Sequence, residues 1–131
     1  MIVDTSALVA IIRKEPEIAQ FTRLILSQDN SAMSAAGYLE LGIVIDGQRD
    51  PISSARVDET ISMLGLEIAP VTETQAKIAR AAYQIFGKGS GHKAQLNFGD
   101  CFAYALAIDT DQPLLFKGED FSKTDVKIAS F

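Results

Sequence analysis

Cysteine, histidine and tryptophan are almost missing from this chain: 131 residues hold one Cys, one His and no Trp. A lone Cys101 rules out an internal disulfide. Its place in an apolar helical stretch makes it a small core residue of a reducing compartment rather than a reactive thiol. A single His and a single Cys also fail to supply the ligand set that zinc recruits. Long apolar runs are lacking too. None reaches the roughly 18 residues that a bilayer-spanning helix needs, and the N-terminus has no basic region followed by an apolar core and a cleavage site. The expectation is a soluble, unexported, cytoplasmic protein with no membrane association. Base is scarcer than acid, 12 Lys and Arg against 17 Asp and Glu, for a net charge of −5. That argues against a broad cationic surface for nucleic acid. One circumstance reverses the argument: acids gathered around divalent cations make the bare sequence overstate the negative charge that a phosphate meets.

What is present suffices for one core. With 47 % hydrophobic residues, residues 1–131 read as a single domain that needs neither disulfide nor structural metal. Ile2-Val3 is a short β-branched run suited to a buried strand, and Asp4 falls where that strand stops. Ala7, Leu8, Ile11 and Ile12 then follow helical spacing up to the breaker Arg13-Lys14-Glu15-Pro16. A second helix is expected from Pro16 to Ser27 and a short strand over 31–33. Ser34 caps a third helix over 35–45 that is apolar nearly all round and so should be buried. Ser53 or Ser54 caps a fourth that ends at Gly65. Leu66 to Pro70 reads as a strand, and Thr72 to Phe86 as a helix stopped by Gly87. Asn97-Phe98-Gly99-Asp100 opens another all-apolar helix, Pro113 to Phe116 is a core strand, and 125–129 alternates as an edge strand does. Helices alternating with short strands imply an α/β fold with a mainly parallel sheet covered on both faces.

Acids interrupt the apolar stretches. Asp4 closes the first strand, in the position from which open α/β sheets build their sites, although Asp4 or Thr5 also suits a helix cap. Glu40 has Ala36, Gly37, Ile43 and Val44 as helical neighbours, so no adjacent base neutralises it. It must be paired from elsewhere, protonated or bound to a cation. Asp100 is the only charge in its helix before Asp109, and with Asn97 it also fits a capping box. Glu119 and Asp120 stand just past a later strand. Carboxylates brought together repel one another unless cations intervene, and hard oxygen ligands select Mg²⁺ or Mn²⁺. Such a cluster suits phosphodiester hydrolysis, in which a cation lowers the pKa of water and stabilises charge on the phosphate. The stretch Gly87-Lys88-Gly89-Ser90-Gly91-His92-Lys93 does not match a phosphate-binding P-loop and follows a helix where a strand is required. It reads as a connecting loop, with polyanion contact through Lys88, His92 and Lys93 as the alternative.

Met1 to Leu8, Tyr38-Leu39-Glu40, Leu96 to Phe102 and Leu114 to Phe121 together resemble the acidic motifs of PIN-domain ribonucleases. Over nearly its full length the chain is similar to the VapC toxins of type II toxin-antitoxin modules. The resemblance implies a three-layer α/β/α PIN-like domain, a nuclease that cuts RNA with Mg²⁺ or Mn²⁺, a VapB-type antitoxin as inhibitor, and a homodimer. It also implies that Asp4 and Asp100 hold metal directly while Glu40 and Asp120 complete the catalytic pocket. Thr5 or Ser6 would orient a water or phosphate oxygen, and Glu119 is the substitute for Asp120. The expected products are a 5′-phosphate and a 3′-hydroxyl. Two other readings stand beside it. A receiver-like phospho-acceptor domain shares the acidic pocket and a Lys after a strand, here Lys117, but usually carries paired acids after its first strand. A non-catalytic binding module would show no metal dependence.

Overall fold

Ile2 and Val3 point to opposite sides of the sheet, and this alternation divides the molecule into layers. The computed structural model describes residues 1–131. Its strands are β1 (Ile2–Val3), β2 (Ser31–Ser34), β3 (Leu66–Ala69) and β4 (Leu114–Leu115). They pair in the order β3-β2-β1-β4, all parallel, with Ile2 opposite Ala32 on one side and Leu114 on the other. The helices are α1 (Thr5–Ile12), α2 (Ile18–Leu26), α3 (Ala35–Asp46), α4 (Pro51–Met63), α5 (Glu73–Phe86) and α6 (Phe98–Thr110). Val3 and Leu115 pack into an apolar cluster with α1 to α4, and Ile2 and Leu114 into a second with α5 and α6. The expected α/β/α layering is therefore present.

Strand order fixes where a site can form. The chain leaves β1 toward β2 and β3 through α1 to α4, and reaches β4 on the other side of β1 through α5 and α6. This reversal opens a crevice beyond the carboxyl ends of β1 and β4. Asp4 follows β1 directly, and Lys117 to Asp120 follow β4. A helix that crosses back between parallel strands runs opposite to them. The start of α6, with Asp100 in its first turn, therefore lies at the same edge.

Several boundaries differ from the sequence expectation. α2 begins at Ile18 rather than Pro16, because Lys14 adopts a left-handed φ of 55° and the Ile18 N–H bonds back to the Glu15 carbonyl, making 15–18 a turn. α4 is capped by Asp50 rather than Ser53 or Ser54. The Asp50 carboxylate accepts from the Ile52 N–H at 3.1 Å and the Ser53 hydroxyl at 2.8 Å, and Pro51 fills the first helical position, where its missing N–H costs nothing. The tail makes one bridge, Ile128 to Leu114, instead of an edge strand. Hydroxyl-capped turns around Phe121 to Val126 use up the preceding residues. The largest departure is α3. Leu41 and Ile45 are fully buried, but Leu39 and Ile43 are each 64 % exposed.

Candidate active site

Asp4 is buried to 5 % exposure at the end of β1. Its Oδ2 accepts from the Ser6 N–H at 3.0 Å, so Asp4 caps α1. The capping role and a place in the crevice coincide. Burial is the leading cause that pushes its carboxyl up to about 6; hydrogen bonds from Ser6 oppose the rise, and the charge of Glu40 adds to it. Asp100 behaves the same way from the other side. Its Oδ2 accepts from the Asn97 N–H at 3.0 Å and the Asn97 side chain accepts from the Asp100 N–H at 2.9 Å, completing the expected capping box. Burial first, then the charges of Asp4, Asp120 and Glu40, raise its carboxyl to about 7.

Those mutual influences locate the four acids. Glu40 reaches the cluster from the second turn of α3. Its carboxylate lies against Gly99, so closely that a Cβ there would overlap Oε2 and stand 2.6 Å from Cδ. Of the adjacent acids after β4, Asp120 acts on Asp100. The Glu119 carbonyl is engaged by the Ser122 N–H and hydroxyl. Both side chains are exposed.

The hydroxyls beside Asp4 have protein partners. Thr5 Oγ1 donates to the Gly37 carbonyl at 3.0 Å and so ties α1 to α3. Ser6 Oγ accepts from the Lys117 N–H at 2.9 Å while the Ser6 N–H donates to Asp4, so this one residue links the first acid to the loop that carries the last. The Lys117 ammonium turns away, to Glu15 at 3.0 Å and Glu17 at 3.1 Å. No Lys or Arg pairs with Asp4, Glu40, Asp100 or Asp120. A receiver-like pocket, in which that lysine faces the acids, does not match this arrangement.

The donor set fits a hard divalent cation better than an ion pair. It is all carboxylate oxygen; Asp4 is buried and Glu40 and Asp100 half-buried, while Asp120 reaches solvent. Burial raises the carboxyls of Asp4 and Asp100, with no base beside them to offset it. No three of the acids are drawn together tightly enough to form a closed coordination cage. Mg²⁺ does not require one, since it keeps several waters and takes one or two protein carboxylates.

Elsewhere, Cys101 is buried, its thiol donates to the Asn97 carbonyl at 3.3 Å, and burial lifts it to about 11, which suits a core residue. In the 87–93 loop, His92 packs edge-on against Phe86 and its Nδ1 accepts from the Ala94 N–H. Lys88 and Lys93 are exposed and unpaired. Sequence reasoning missed Gly99. The available signal was a glycine in the first turn of a helix otherwise built from strong apolar positions.

The sequence profile of the PIN domain matches residues 1–127. The chain is 55 % identical to ribonuclease VapC28 of Mycobacterium tuberculosis over 129 residues, covering 98 % of this chain and 97 % of the relative. It is 43 % identical to ribonuclease VapC42 of the same organism over 129 residues, covering 98 % of both. Among solved structures, VapBC2 from Rickettsia felis bound to a promoter DNA fragment superposes with a TM-score of 0.78 at 17 % identity, covering 98 % of this chain and 96 % of that one. M. tuberculosis VapC20, a toxin that cleaves the sarcin-ricin loop, superposes with a TM-score of 0.75 at 15 % identity, covering 99 % and 98 %. No helix is long and apolar enough to cross a membrane. With the profile match spanning nearly the whole chain and relatives aligned end to end, this protein belongs to the PIN-domain family and, within it, to the VapC ribonucleases.

Proposed function

We propose that the chain, a single PIN domain over residues 1–131, is the toxin of a type II toxin-antitoxin module and an endoribonuclease dependent on Mg²⁺ or Mn²⁺. One observation carries the reading. Asp4, buried at the end of β1, and Asp100, half-buried at the start of α6, come from different elements; both feel the charge of Glu40, Asp100 that of Asp120 as well, and neither has a basic side chain to balance it. Asp4 and Asp100 would hold the cation directly, and Glu40 and Asp120 would orient its waters. When bound, the cation supplies Lewis acidity toward water and toward the scissile phosphate. The chain's own residues do the remaining work. Ser6 and Asn97 fix the two carboxylates in place, and the start of α6 presents its positive end to the phosphate. No side chain of the cluster is suited to covalent attack. Hydrolysis leaves a 5′-phosphate and a 3′-hydroxyl.

The same charge logic supports a VapB-type antitoxin that quenches the pocket with an Arg, because a guanidinium forks onto carboxylates and supplies the missing base. Lys88, His92 and Lys93 would meet the RNA backbone at the approach to α6. Leu39 and Ile43 of α3 are each 64 % exposed, and Phe98 of α6, next in the chain to the Gly99 on which Glu40 rests, is 78 % exposed. That apolar face is the surface by which we expect a homodimer to form.

The decisive assay incubates antitoxin-free protein with mixed RNAs, with and without Mg²⁺ or Mn²⁺, and maps the ends formed. Cleavage that requires the cation and leaves 5′-phosphates is the expected outcome. Cleavage undiminished by EDTA removes the proposed chemistry, and RNA binding without turnover favours a binding module.

A further inference from the structure

Gly99 occupies the second position of α6 with an ordinary helical backbone, since its φ lies outside the left-handed range. Nothing in the chain direction requires a glycine there. Glycine is also the poorest helix former after proline, so local stability argues for any other residue. The space beside it explains its presence. A Cβ at 99 would overlap Glu40 Oε2 and lie 2.6 Å from Cδ and 3.0 Å from Oε1. The whole carboxylate of Glu40 therefore sits where a side chain would begin. Other glycines near the site do not share this. Gly37 would bring a Cβ to an ordinary 3.7 Å from Met33 and a tight but bearable 3.3 Å from Thr5 Oγ1, and Gly118 has open space.

We infer that Gly99 is a positioning residue, left without a side chain so that the Glu40 carboxylate can rest on the first turn of α6 beside Asp100. The inference builds on the metal-dependent reading of this site and adds to it the residue that sets where the α3 acid stands relative to α6. Glu40 is the far end of a flexible side chain, so a methyl at 99 would push it aside rather than break the fold. Gly99→Ala should then do two opposite things. It should favour the helix and spoil the site. Shortening the displaced side chain tests the cause, because Glu40→Asp withdraws the carboxylate by about 1.5 Å, the depth that one new carbon–carbon bond takes up.

Three variants of the full chain, Gly99→Ala, Glu40→Asp and the double substitution, are compared with the unaltered protein by thermal unfolding, Mn²⁺ titration and RNA cleavage. Gly99→Ala is expected to unfold at the same or a higher temperature while losing about 10-fold in Mn²⁺ affinity and about 10- to 100-fold in cleavage, as groups that orient a metal site do. In the Glu40→Asp background, adding Gly99→Ala should cost nothing further, because the two positions act through one contact. Gly99→Ala that keeps both Mn²⁺ affinity and cleavage sinks the assignment. So does a lowered unfolding temperature with equal losses in both backgrounds, which marks a merely structural glycine. Should the unaltered protein neither bind Mn²⁺ nor cleave RNA, the reading of the site fails and takes this role with it. An active parent that is indifferent to Gly99→Ala removes the role of Gly99 alone.

Discussion

α3 and α6 look alike in sequence, each an apolar helix with one acid in its first two turns and a second near its C-terminal end, yet the protein treats them differently. α6 lies over the sheet, and Cys101 and the whole run Ala103 to Ala107 are buried. α3 buries only Leu41 and Ile45 and turns Leu39 and Ile43 outward. An all-apolar wheel thus reports that a helix tolerates burial, not that it is buried. What separates the two is where the topology puts them. α6 crosses back under strands on the way to β4, whereas α3 leaves the end of β2 directly and meets α1, α4 and the start of α6 from the side. Their acids converge all the same. Glu40 and Asp100 meet because the start of one helix and the second turn of the other share the edge beyond β1.

The comparison can be sharpened by experiment, and the largest effect belongs to chemistry. Asp100→Asn keeps the shape and the Asn97 contact to a side-chain oxygen but removes the charge. We expect Mn²⁺-dependent cleavage to fall by more than about 100-fold while circular dichroism stays native; undiminished turnover would strike Asp100 from the site. Packing gives the next effect. Leu106, 2 % exposed in α6, should cost about 2–5 kcal/mol when cut to Ala, read from urea unfolding. Ile43→Ser on α3, at 64 % exposure, should change monomer stability by less than about 0.5 kcal/mol. Its visible consequence is expected in sedimentation, where the dimer should weaken. Equal destabilisation by the two would show that the helices are buried alike.

A further effect is a pH dependence. Asp4 and Asp100 hold their protons to about 6 and about 7, against an ordinary value of 3.8. Between those values the folded chain binds more protons than the unfolded one. Without a cation, the contribution of these two acids to stability is therefore full below about pH 4 and is lost as pH rises through 6 to 7. Mn²⁺ should restore it near neutral pH and do little near about pH 5, where protons occupy the same oxygens. A melting temperature that rises with pH over this window, with no cation present, would contradict the burial of these acids.

Much of this was legible in one dimension. The strand-closing place of Asp4, the Asn97–Asp100 box, the caps at Ser34 and the stop at Gly87 all rest on local rules, and local rules act over three or four residues. The capping and site readings of Asp4 and Asp100 looked like competitors in the sequence. In three dimensions the same oxygens serve both, because an α/β sheet starts its helices where it opens its crevice. Pro16 and the pair Ser53 and Ser54 misled at the boundaries, since Lys14 and Asp50 held stronger local geometry.

The order of residues determined which segments fold into which elements and that unneutralised acids punctuate the greasy ones. Hydrophobic period and capping chemistry are written in neighbouring positions, so they needed nothing else. Only the tertiary structure decided which face of α3 meets solvent, that the Lys117 ammonium turns to Glu15 and Glu17, and that a glycine at 99 is the seat of a glutamate from 40. Those are contacts between segments far apart along the chain, and their distances are set by how the layers stack.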